Sequence, residues 1–184
     1  MVNKSAIAIV LALASSAATA HPQAGGAHAH DFISGFAHPF TGLDHLLAML
    51  AVGIWSVRQS NAKWLPATFI GMVLVGVLTG VAGLTIPGLE TGIAVTVATM
   101  GVLIAVAARL PAAAGLAMVG VFAVLHGNAH GHELPAAASA FGLLLASAVL
   151  VYGGRTLGRV SPALAVKVSG AAIAATGVML AATV

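Results

Sequence analysis

Cysteine is absent from this 184-residue chain, tyrosine occurs once, tryptophan twice, and only 6% of the residues are charged. Without cysteine there are no disulfides, no thiolate metal sites and no iron–sulfur clusters. With so little charge the chain cannot cover its own surface in water. A soluble domain carries about 25% charged and about 45–50% apolar residues, against 60% hydrophobic residues here. The isoelectric point is near 10.0, but the seven basic residues are scattered and form no basic patch, so nucleic acid is not a partner. No Gly-x4-Gly-Lys-Ser/Thr stretch occurs, which excludes a P-loop ATPase. What the chain does have is a mean hydropathy of +1.07, gathered into long runs that predict membrane spans in a lipid bilayer.

The first twenty residues differ from the rest. MVNK is a short positive stretch, Ala6–Ala14 an apolar one, and Ala18-Thr19-Ala20 fits the small-residue cleavage rule, so residues 1–20 read as a signal peptide. Residues 21–37 read as a polar, histidine-containing periplasmic segment and 38–184 as a six-helix transmembrane domain. The apolar segments run roughly over 42–57, 65–83, 91–108, 112–125, 136–153 and 163–183. Several are short of the roughly 20 residues that cross an average bilayer, which predicts that their polar ends extend as helix or that the bilayer thins. An external mature N-terminus puts Arg58, Lys63, Arg109, Arg155 and Arg159 in cytoplasmic loops, and Lys167 one turn inside the sixth segment. The loops around 85–90 and 126–135 hold no Lys or Arg. Charge bias and leader therefore predict one topology: an all-α integral membrane protein of the bacterial cytoplasmic membrane, both termini periplasmic. Trp55 and Trp64 bracket the first cytoplasmic loop as interfacial anchors. Gly76-x-x-x-Gly80 reads as a packing seam. Three plus three helices are compatible with an inverted repeat, though the halves show no sequence echo.

With this topology all eight histidines (21, 28, 30, 38, 45, 126, 130 and 132) and all four acids (Asp31, Asp44, Glu90 and Glu133) fall on the outer side. Imidazole with carboxylate suits a divalent cation. In HPFTGLDH, a helix beginning near His38, with Pro39 in its first turn, would put His38 and His45 on one face and Met49 a turn further. Asp44 is then placed to hold a ring N–H or to join a second ligand set. In LHGNAHGHE, His126, His130 and Glu133 line one helical stripe, with His132 off it. His21, Glu90, Met49, His132 and Asn128 are further candidates for the metal or its path. Glu90 alternatively reads as a helix-terminus charge, and Met49 as a packing residue.

At these two stretches the sequence resembles the HupE/UreJ family of nickel permeases. The matching residues are His38, Asp44 and His45 in the first motif, and His126, Gly127, Ala129, His130, Gly131 and Glu133 in the second, where Leu125 stands in place of the family's aromatic. The resemblance covers essentially the whole chain. It implies secondary uptake of nickel(II), with cobalt sometimes accepted, for hydrogenase or urease maturation, and it places His38, Asp44, His45, His126, His130 and Glu133 in the transport path. The resemblance implies nickel as the transported substrate, no organic cofactor and no enzymatic activity. The residues alone leave cobalt or zinc as the substrate, and leave a non-transporting envelope metal-binding protein as an alternative. An intramembrane metalloenzyme using Glu133 or Asp44 as base accounts less well for the one-sided charge, and no HExxH occurs; a haem protein with paired histidine ligands would be coloured when purified. Oligomeric state and any cytoplasmic metallochaperone lie beyond the sequence.

Overall fold

The computed structural model describes residues 31–184, and all of its regular structure is helical. The leader, His21, His28 and His30 lie outside the described residues. Seven helices follow in order: α1 Phe32–Thr41, α2 Leu43–Ser56, α3 Trp64–Val81, α4 Leu89–Ala105, α5 Ala112–Glu133, α6 Ala137–Val160 and α7 Ala163–Ala181. Of these α3, α5, α6 and α7 are long and apolar enough to cross a membrane, while α2 and α4 are apolar but shorter. The last helical residues of α5 and α6 lie well beyond the apolar runs, so the polar ends do continue as helix.

The first helix departs from the sequence expectation. Helix does not begin near His38; α1 starts at Phe32, and it crosses the boundary drawn at 37/38. The cause is local. Asp31 caps it, accepting from the Ser34 N–H at 2.8 Å while the Ser34 hydroxyl accepts from the Asp31 N–H at 3.1 Å. These bonds, the Ser34 N–H above all, hold the Asp31 carboxyl below its ordinary range. Phe32, Phe36 and Phe40 then stack along one face, and Phe32 meets Phe141 of α6 at 5.9 Å. Pro39 is buried near the end of α1 rather than in a first turn. It removes one backbone donor from the helix; three residues later the chain straightens at Gly42 (φ −90°, ψ 117°), and α2 starts afresh.

The bundle is held by close backbone approaches. α3 packs along α5, α4 along α7, and α6 along both α1 and α2. The seam at Gly76 and Gly80 is matched by Gly127 and Gly131 on α5. Contacts this short are open only to glycine, because an added Cβ would overlap a carbonyl of the opposite helix. Between the helices lies an apolar core that includes Met49, Val52, Phe69, Val73, Val97, Met100, Val119 and Leu143. Trp55 is buried within the bundle, and its indole N–H donates to the Ala108 carbonyl at 3.1 Å. Trp64 is exposed.

Candidate metal centre

The break at Gly42 puts His38 in the last turn of α1 and His45 in the first turn of α2. The two rings therefore meet across a bend rather than along one helical face. α5 ends at the same place, so its last two turns bring His126, His130 and Glu133 against them.

The four rings form a continuous run. Ring centroids are 4.9 Å apart for His38–His130, 4.2 Å for His45–His130 and 5.1 Å for His45–His126. His38 and Glu133 lie at the rim, with 33% and 49% of their side chains exposed; His130 and His126 are fully buried. The His38 Nε2 and a Glu133 carboxylate oxygen are 2.8 Å apart, and His130 Nδ1 lies 3.6 Å from the same oxygen, longer than a hydrogen bond. His38, His130 and Glu133 each offer one ligand atom within 4.8 Å of the other two, close enough for one ion to hold all three.

Below the rim the partners fix which nitrogen faces inward. Asp44 accepts from both the backbone N–H and the ring Nδ1–H of His45, each at 2.8 Å. The carbonyl of Phe122 can only accept, so it takes the Nδ1–H of His126, at 2.8 Å. Each bond leaves Nε2 as the lone-pair nitrogen, the arrangement by which a second partner prepares an imidazole for a metal. Neither the Nε2 of His45, nor that of His126, nor either ring nitrogen of His130 has a hydrogen-bond partner, though all are buried. A buried polar atom without a partner costs about 1–3 kcal/mol. Four of them on three touching rings suit the donor set of a borderline divalent cation.

The second-tier candidates divide. Met49 lies one turn after His45 and is fully buried in the core. Glu90 sits exposed in the first turn of α4 and makes no ion pair among the described residues. Asn128 and His132 face α3 and the turn after it rather than the cluster: the Asn128 amide donates to Thr79 Oγ1 at 3.1 Å and the Leu84 carbonyl at 3.0 Å, and His132 Nε2 lies 3.1 Å from the same carbonyl. Sequence reasoning missed the Phe122 carbonyl, for which no side-chain motif exists. It also missed a buried polar group at the opposite end of the bundle, comprising Ser56, Gln59 and Asn61.

Replacing Asp44 tests its orienting role. Asp44→Ala is expected to lower nickel affinity by about 10–100-fold, as for other partners of metal-binding imidazoles, and Asp44→Asn by less, because the amide oxygen still accepts the ring N–H. Calorimetric titration of the purified protein with nickel(II) checks both; unchanged affinity in Asp44→Ala would remove Asp44 from the site.

Comparison with known proteins gives the family. The family model described as HupE / UreJ protein matches residues 9–180. Protein HupE of Rhizobium leguminosarum bv. viciae is 40% identical over 132 residues, which is 69% of each chain. No solved structure matches.

Proposed function

The chain belongs to the HupE/UreJ family of membrane proteins, a transporter-type family associated with nickel and cobalt transport, and from that premise we propose that it is a secondary permease carrying nickel(II) into the bacterial cell for metalloenzyme maturation. The proposed topology counts α1 and α2 as one span of six, with residues 1–20 removed as a signal peptide and both mature ends periplasmic. The histidine end then faces the periplasm. Nickel rather than cobalt or zinc rests on the family association, since imidazole suits all three.

The observation that carries this reading is the graded row of rings. An ion arriving from water meets His38 and Glu133 at the rim, and the buried rings of His130, His45 and His126 follow in contact, each against the next. A storage site needs one closed ligand set; a path needs neighbouring sites close enough to hand the ion on and none tight enough to keep it. His130 touches both the rim ring of His38 and the ring of His45, so it is the point of transfer. The membrane potential supplies the drive. At about 2.3 kcal/mol per charge per 100 mV, a divalent ion gains roughly 4.6 kcal/mol, about three decades of accumulation.

Proteoliposome uptake of radioactive nickel, with an imposed inside-negative potential and cobalt or zinc as competitors, tests the proposal. The expected result is potential-dependent uptake. Tight binding with no uptake in a sealed, oriented preparation would overturn transport and leave a metal-binding membrane protein.

A further inference from the structure

Two helix pairs run parallel and touch backbone to backbone in one shared register. A Cβ added to Gly127 of α5 would overlap the Val73 carbonyl of α3, and one added to Gly53 of α2 would overlap the Val151 carbonyl of α6. The reverse contacts match as well: Gly76 of α3 lies on the Val124 carbonyl, and Gly154 of α6 on the Leu50 carbonyl. One turn further, Gly80 meets the Asn128 carbonyl and Gly158 the Ile54 carbonyl. A constant shift of 74 positions takes Leu50, Gly53 and Ile54 to Val124, Gly127 and Asn128. A constant shift of 78 takes Val73, Gly76 and Gly80 to Val151, Gly154 and Gly158. The remaining pair is antiparallel, with Gly101 on Ala174, Gly170 on Ala105 and Gly177 on Ala98, which is what a twofold axis between α4 and α7 generates. α2 begins at the histidine end and α5 finishes there, so the two sets of three helices point in opposite directions.

We infer that the chain is an inverted repeat, α2–α4 against α5–α7, and that it moves its ion by exchanging the conformations of the two halves; this rests on the permease reading above. The motive for exchange is an asymmetry. α2 packs against α4, whereas its counterpart, α5 against α7, is at most marginally in contact. Two halves with matching backbones in different arrangements have a second state of similar packing, with the arrangements traded. In that state α5 closes on α7 and α2 leaves α4, parting the rings of His45 and His130 and opening the far end. The same register takes His130 to Ser56 and Glu133 to Gln59. Both counterparts are buried at the far end, where the Arg155 guanidinium donates to the Ser56 hydroxyl at 3.2 Å and Gln59 bonds the Ala108 carbonyl and the Leu110 N–H. The exit thus offers a hydroxyl, an amide and a fixed positive charge where the capture end offers imidazole and carboxylate. A divalent cation is held at one end and repelled from the other.

The absence of cysteine lets spin-labelled pairs be introduced into the otherwise unchanged chain. Leu47→Cys with Val95→Cys reads the α2–α4 separation. Val121→Cys, at the counterpart of Leu47, with Val178→Cys reads α5–α7; Val95, Val121 and Val178 are all exposed. Double electron–electron resonance in lipid nanodiscs, without metal and with diamagnetic Zn(II), is expected to show two distance populations for each pair, the α2–α4 distance lengthening as the α5–α7 distance shortens. Single unchanging distances in both pairs, or movement of one pair alone, would overturn the exchange. Nickel uptake by the unlabelled chain reports separately on the permease reading, so the two failures are distinguishable. If the Leu47 label disturbs folding, Leu43 and its counterpart Ala117 replace Leu47 and Val121 with the same expectation.

Discussion

Replacing His130 by leucine is expected to abolish nickel uptake and, in the same protein, to stabilise the metal-free form. The ring is fully buried and neither nitrogen has a hydrogen-bond partner, so the metal-free fold bears the cost of two unpaired polar atoms, about 1–3 kcal/mol each. Leucine has a similar volume and leaves no such atoms, so little packing is lost. Gains on the order of 1–3 kcal/mol for each atom removed follow, read as a higher melting temperature in detergent without metal. Uptake should fall by more than about 100-fold, beyond the 10–100-fold typical of partners that only orient a ligand. Nickel should raise the melting temperature of the wild type, since a ligand that binds only the folded state stabilises it, and leave His130→Leu unmoved. The control is His132→Ala. That ring is exposed and faces the Leu84 carbonyl rather than the cluster, so uptake should remain near the wild-type rate. A His130→Leu protein that is less stable than wild type without metal would mean the ring is a packing element and not a strained binding group.

Gly127→Ala and Gly53→Ala should each destabilise the bundle strongly, and to a similar degree. In both the new methyl group would overlap a carbonyl of the opposite helix, Val73 or Val151. A backbone atom cannot turn aside as a side chain can, so the helices must separate, at a cost at or above the roughly 1–3 kcal/mol usual for overpacking. Gly71→Ala and Gly153→Ala make the contrast. Nothing lies within 4 Å of a Cβ at either position, and alanine favours helix over glycine by about 0.8–1.0 kcal/mol, so these two should be neutral or mildly stabilising. Thermal unfolding of the four variants decides the matter; a tolerated Gly127→Ala beside a damaging Gly71→Ala would reverse the assignment of the packing seam.

The candidate ligand types and their order along the chain are legible in the sequence because they are rare in it. Against 6% charge, His38, Asp44, His45, His126, His130 and Glu133 stand out, and an apolar solvent tolerates such groups only where they are used. The hydropathy runs locate the long helices for the same reason. The start of the first helix is hidden in the stretch that reads as polar: Asp31 and Ser34 form a capping box there and, with phenylalanines four apart, start α1 a turn and a half before His38. The burial of Trp55 is not legible in the sequence, because the carbonyl its indole meets belongs to Ala108, 53 positions away.

The sequence by itself determined that the chain is helical and suited to lipid, and which side chains have metal chemistry, since composition and hydropathy depend on local residues alone. Only the tertiary structure decided that His38 and Glu133 meet 2.8 Å apart across 95 positions, that Asp44 turns His45 and Phe122 turns His126 toward one another's neighbourhood, and that the two halves share a register. The halves agree at the glycines Gly53, Gly76, Gly80 and at Val73, while His130 answers to Ser56 and Glu133 to Gln59. Where two backbones touch, only the absence of a side chain matters; elsewhere each half is free to diverge. A repeat kept by close backbone contact therefore leaves almost no trace in the order of residues, and becomes visible only when the helices are laid side by side.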